Sequence, residues 1–239
     1  MSITPTFQTD LYNQLSNQTS TESFFLTPIN QIQIFDTNGN LMETITDIDV
    51  TYSNGKLTIK VEFQAENTFT IGCIQIGSYN NGVFKPYFCC KKLSGTQVTA
   101  GNFYYICSVI CINGFTLNLS PFNTASLNAL KLANVIGGIL SGNPSYAGKS
   151  GAYFVSIYVV NTTSNVNMSY RIPVTIMDLS SGVFIIGGTI PSSVEGNIVE
   201  VRDSSGASLI KVSSTEVITF KKGRQIIFEL TLQGTTGTP

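Results

Sequence analysis

The sequence predicts an all-β protein made of two antiparallel β-sandwich domains joined by a short helical connector. Three observations carry that expectation. Apolar and polar residues alternate with period two, as where Leu57, Ile59, Val61 and Phe63 face one way and Lys56, Thr58, Lys60 and Glu62 the other. Glycine turn signals cut the alternating runs short, at Asn38-Gly39, Asn54-Gly55, Asn81-Gly82, Asn113-Gly114, Ser181-Gly182, Ser205-Gly206 and Lys222-Gly223. One segment, 126–140, instead has Leu127, Leu130, Ala133, Ile136 and Ile139/Leu140 at helical spacing behind Ser126 as a cap.

In chain order the strand candidates are QIQIF (31–35), the run at 56–63, TFTIGCIQIGS (68–78), VFKPYFCCK (83–91), NFYYICSVICI (102–112), AYFVSIYVVN (152–161), MSYRIPVTIMDL (168–179), VFIIGGTI (183–190), NIVEVR (197–202), TEVITF (215–220) and QIIFELTLQ (225–233). Many short strands joined by glycine turns indicate sandwiches. The division that follows is an extended polar arm at 1–29, a sandwich at 30–119, a helix and loop connector at 120–151, a second sandwich at 152–233 and a flexible tail at 234–239. In the alternative reading the helix caps one open end of a single larger jelly roll.

Composition narrows the function. Charged residues are 11% of the 239, the net charge is -1, and 25 Ser with 27 Thr supply a hydroxyl-rich surface. With no basic block, binding to nucleic acid is not expected. The longest apolar-looking run, Leu127 to Leu140, is interrupted by Asn128, Lys131 and Asn134, so no membrane span is expected. The start of the chain has neither a cationic stretch nor an apolar run of signal-peptide length, so a conventional secretory route is not expected. Histidine and tryptophan are absent, which excludes Ser-His triads, His-metal sites and Trp-based sugar platforms. There is no glycine-rich phosphate loop and no CxxC pair, so the expectation is a non-enzymatic chain without cofactor or metal. Hydroxyl and amide surfaces do not change charge with pH, which suits an acidic habitat; codon bias toward Asn, Ile, Ser and Thr explains the composition equally.

Five cysteines, Cys73, Cys89, Cys90, Cys107 and Cys111, fall in one window and are candidates for disulfides or buried thiols. Cys107 and Cys111 share a strand face, while Cys89 and Cys90 face opposite ways. Phe24, Phe25, Leu26 and Ile29 close the otherwise polar arm and could add a strand to a neighbouring subunit, making them a candidate assembly arm. Asn17, Asn118, Asn161 and Asn167 begin glycosylation sequons, a number that the Asn, Ser and Thr content produces unaided. Asp47 with Asp49, and the basic tip Lys221 to Arg224, read as solvated surface.

The stretches FDTNGNL (35–41) and RDSSGASL (202–209) raise the question of an internal repeat. Ile32, Ile34, Asp36 and Gly39 align with Val199, Val201, Asp203 and Gly206, and the strands after them match in kind. Duplication explains this, and so does the preference of Asp-x-x-Gly for one turn geometry. In the second half, Val159 to Asn161 ending one strand, and Phe220, Gly223 and Phe228 around a turn, resemble the B, C, E and F strands of immunoglobulin-like sandwiches on prokaryotic cell surfaces. The resemblance implies a display or assembly module. In composition the chain also resembles the immunoglobulin-like or jelly-roll β-sandwich virion proteins of viruses infecting thermoacidophilic archaea. The function expected is a virion structural protein, a capsid, turret or tail component that associates with itself and other structural subunits. The alternative is an extracellular or cell-surface adhesin or pilus subunit.

Overall fold

The computed structural model describes residues 2–16, 25–91, 93–112, 115–118, 126–143, 156–163, 168–180, 183–232 and 235–237. The first half runs β1 (Ser2–Ile3), α1 (Pro5–Ser16), β2 (Gln31–Asp36), β3 (Leu41–Ile45), β4 (Asp49–Ser53), β5 (Lys56–Gln64), β6 (Phe69–Asn80), β7 (Val83–Cys90), β8 (Gln97–Val98), β9 (Phe103–Cys111) and β10 (Phe115–Asn118). The second runs β11 (Ser126–Asn128), α2 (Leu130–Leu140), β12 (Ser156–Asn161), β13 (Met168–Pro173), β14 (Ile176–Ser180), β15 (Val183–Thr189), β16 (Val194–Arg202), β17 (Ser208–Phe220), β18 (Gln225–Leu232) and β19 (Thr235–Gly237). The protein is mostly β, as the alternation predicts.

The strands form four antiparallel sheets. Sheet I has the order β1-β7-β6-β2-β3 with β8 beside β6; sheet II is β19-β9-β5-β4; sheet III is β11-β17-β16-β12-β13; sheet IV is β10-β18-β15-β14. Their buried sides carry the predicted residues: Leu57, Ile59 and Val61 on β5 lie opposite Ile110, Ser108 and Ile106 of β9. On β12, Ile157 and Val159 lie opposite Val201 and Val199 of β16, all four buried.

The two aspartate turns are the same object. Asp36 Oδ1 accepts from the Asn38 and Asn40 amides at 2.9 and 2.8 Å, and Asp203 Oδ1 accepts from those of Ser205 and Ala207 at 2.9 Å each. Gly39 and Gly206 donate back to the aspartate carbonyl at 3.1 and 3.0 Å with φ of 87° and 80°. A short acceptor side chain followed by a residue free to adopt positive φ dictates this geometry. Yet Gly39 joins β2 to the marginal strand β3, whereas Gly206 joins β16 to β17, which has β11 on its other side. The two turns occupy different places in their sheets, so the alignment built on them does not mark equivalent positions.

Other expectations change with tertiary context. Residues 5–16, assigned to an extended arm, are helix α1, and 235–237, assigned to a flexible tail, add a strand to sheet II. The Phe7 amide donates to Thr4 Oγ1 at 3.2 Å, so Thr4 caps the helix and Pro5 stands at its first position. Phe7, Leu11 and Leu15 of α1 are buried, each contributing roughly 1.5–3 kcal/mol of hydrophobic stabilisation. Ser126 does not cap α2 but belongs to β11, and the Leu130 amide is met by Asn128 Oδ1 at 3.2 Å. The run 168–179 splits at Pro173 into β13 and β14, in sheets III and IV. β12 and β13, which fall in the segment that resembles the immunoglobulin B and C strands, pair with each other in sheet III, whereas B and C strands of that fold lie in different sheets.

Candidate functional surface

Most of the sequence-predicted site residues do not converge. Among the described residues no three His, Cys, Asp or Glu side chains are grouped so as to hold a metal ion. The five cysteines are free thiols, each half-buried, on two different sheets. Cys73 and Cys89 lie on the outer face of sheet I, and Cys90, opposite buried Ile74, packs on the core. Burial, then the adjacent Cys89 thiol, pushes the Cys73 thiol above its usual range. Cys107 and Cys111 sit on β9 opposite Lys60 and Lys56.

The candidate assembly arm is occupied within its own chain. Leu26 and Ile29 are buried in the core, the Ile29 amide donates to the Leu140 carbonyl at 2.9 Å, and the Phe25 amide donates to Gln14 Oε1 at 3.1 Å. Phe24 lies outside the described residues. Leu26 and Ile29 consequently already have their apolar surface covered within their own chain. Of the sequon residues, Asn161 accepts from the Thr163 amide and hydroxyl at 3.0 and 2.8 Å. Asn118 is in β10 opposite Glu229, and Asn17 and Asn167 lie outside the described residues.

Two surface features missed by sequence reading emerge instead. On the outer face of sheet II, β9 presents Phe103, Tyr105, Cys107, Val109 and Cys111 opposite Gln64, Glu62, Lys60, Thr58 and Lys56 of β5. Phe103 and Tyr105 are 68% and 62% exposed, the largest values among the exposed large hydrophobic residues that are described. Alternation along NFYYICSVICI is ambiguous because both faces are apolar; only the pairing with β5 shows that Ile106 and Ile110 go inward and Phe103 and Tyr105 outward.

The other feature is a charged row on sheet III. Arg171, Tyr158, Glu200 and Lys211 stand side by side across β13, β12, β16 and β17. Arg202 Nε donates to Glu200 Oε2 at 2.8 Å, and its guanidinium lies 4.1 Å from the centre of the Tyr158 ring. Lys211 reaches Glu200 at 4.0 Å and also lines a groove of about 490 Å³ with Asn128, Lys131 and Asn134. Charge pairing and ring stacking keep this row together, and it presents no nucleophile beside a base.

Among the described residues no helix is long and apolar enough to cross a membrane. Comparison with protein-family models, with curated proteins and with solved structures finds no match for this chain.

Proposed function

We propose that this chain is a non-enzymatic structural protein of a virion, a capsid, turret or tail component that self-associates through sheet surfaces. In this reading sheets I and II face each other as one sandwich and III and IV as a second. The observation that carries it is the exposed pair Phe103 and Tyr105 on a sheet face, since aromatic surface held outward on a rigid sheet is characteristic of protein contact sites. The low charge and hydroxyl-rich composition support an extracellular particle, and the reading of Leu26 and Ile29 as an intersubunit arm is replaced by this face. The same features serve a cell-surface adhesin or filament subunit, the alternative class.

Light scattering on the parent and on a Phe103→Ser, Tyr105→Ser variant tests the surface. A concentration-dependent assembly lost in the variant, with its circular dichroism unchanged, supports the proposal; a parent that stays monomeric at all concentrations removes it. Mass spectrometry of purified particles and of cell-surface filaments separates the two classes by where the chain is found.

A further inference from the structure

The two halves repeat one plan in a register different from that of the aspartate turns. A short marginal strand precedes a helix in each: β1 then α1, β11 then α2. Buried Phe7, Leu11 and Leu15 of α1 recur as buried Leu132, Ile136 and Leu140 of α2, each 125 positions on. Ile32 and Ile34 of β2, opposite Ile76 and Ile74, recur as Ile157 and Val159 of β12, opposite Val201 and Val199. The register pair Ser53 with Lys56, ending β4 and starting β5, recurs as Ser180 with Val183, ending β14 and starting β15. Sheet I read β1-β7-β6-β2-β3 thereby matches sheet III read β11-β17-β16-β12-β13, and β9-β5-β4 matches β18-β15-β14; among the described strands, β8 lacks a counterpart in the matched order.

The elements left over are exchanged. β10, the last strand of the first half, pairs with β18, while β19, the last strand of the second, pairs with β9. The helices cross in the same way: α1 packs on β7 of its own half and β14 of the other, and α2 on β17 of its own half and β4 of the other. One tyrosine bond spans each crossing. Tyr12 Oη donates to the Met177 carbonyl at 3.1 Å, and Tyr52 Oη donates to Asn134 Oδ1 at 3.0 Å.

Two independent domains in tandem would have no reason to trade equivalent parts. Reciprocal exchange, with element i of one unit on element j of the other and the converse, is the signature of a two-fold self-complementary interface. We infer that the chain is a two-fold dimer of one folding unit written into a single polypeptide, 2–118 and 126–237, in which each unit's helix and last strand form a docking surface whose partner is the other unit. Neither unit completes its own sheet: sheets II and IV each take their outermost strand from across the interface. The chain then enters any larger assembly already paired.

A protease site introduced within 119–125 of the full chain tests this. After complete cleavage the two fragments should co-elute at the parent's size in native buffer and part only in denaturant; elution as two separately folded halves overturns the inference. A circular permutant supplies a second reading. Two-fold symmetry requires the gap from Gly237 to Ser2 to match the gap from Asn118 to Ser126. A chain opened within 119–125, with its old ends joined by a spacer of that length, should therefore keep the parent's circular dichroism and melt in one transition. Failure of this permutant to fold, while the parent carrying the same spacer as a C-terminal extension folds, also overturns it.

Discussion

Gly137→Ala probes the helix crossing most directly. In an exposed helix interior this change favours the helix by about 0.8–1 kcal/mol. At Gly137, however, a Cβ would lie 2.1 Å from Cδ2 and 2.2 Å from Cε2 of Tyr52, inside the ring's contact radius. The ring must turn away, and its hydrogen bond to Asn134 goes with it. Overpacking costs roughly 1–3 kcal/mol and the lost bond about 1 kcal/mol, which outweighs the propensity gain. The net expectation is a loss of about 2 kcal/mol, or roughly 4–8 °C in melting temperature for a chain of this length. In a Tyr52→Ala background the obstacle is gone, so the same glycine substitution should stabilise by about 1 kcal/mol. Chemical denaturation of the four proteins in the cycle measures both signs. Equal destabilisation in both backgrounds, or stabilisation in the parent, would refute the packing of α2 on β4.

Further outcomes follow at three positions in the core and turns. Tyr87→Phe removes a buried hydroxyl that accepts from the Thr27 amide at 3.1 Å and lies 3.4 Å from Asp10 Oδ2, and should cost roughly 1–3 kcal/mol in urea unfolding. Burial raises the Tyr87 pKa above its ordinary 10.0, so its contribution is complete below pH 10 and is lost as the pH climbs through the folded-state value; the alkaline fall in stability should be shallower in Tyr87→Phe. Asp36 is held below its ordinary 3.8 by the Asn40 side chain first, then by the Asn40, Asn38 and Gly39 backbone, so the β2–β3 turn should keep its geometry until the pH falls below that value. Amide chemical shifts of Asn38 and Asn40 report it, and Asp36→Asn should abolish their acid transition. Gly77→Ala places a Cβ 2.0 Å from the Lys85 carbonyl oxygen, a backbone atom that cannot swing aside; a drop of about 3 kcal/mol is expected, read by thermal melting.

Strands were legible because period-two alternation is local, and nearly every predicted run became one. Helix α1 was missed although Thr4 and Pro5 form a helix-start signature, because its buried face includes Asp10 and Gln14 and so looks polar. Only the fold supplies their partners: Lys85 Nζ at 2.8 Å for Asp10, and the Phe25 amide for Gln14. The exposed aromatic pair on β9 was hidden for the opposite reason, since both faces of that run are apolar and a one-residue change of register reverses them.

By itself the sequence determined the β character, the turn positions and the chemistry of the two aspartate turns, because each depends on residues a few positions apart. It also misled there, since identical turns reflect identical local hydrogen bonding rather than equivalent places in the sheets. Which strands pair, that β10 and β19 change places, and that Leu26 and Ile29 are covered by their own chain were decided by tertiary structure alone. The β10–β18 and β19–β9 pairs and the Ile29–Leu140 bond join residues far apart in the sequence, and a strand's edge is satisfied by any partner of suitable register, so nothing local to the strand names the one it finds.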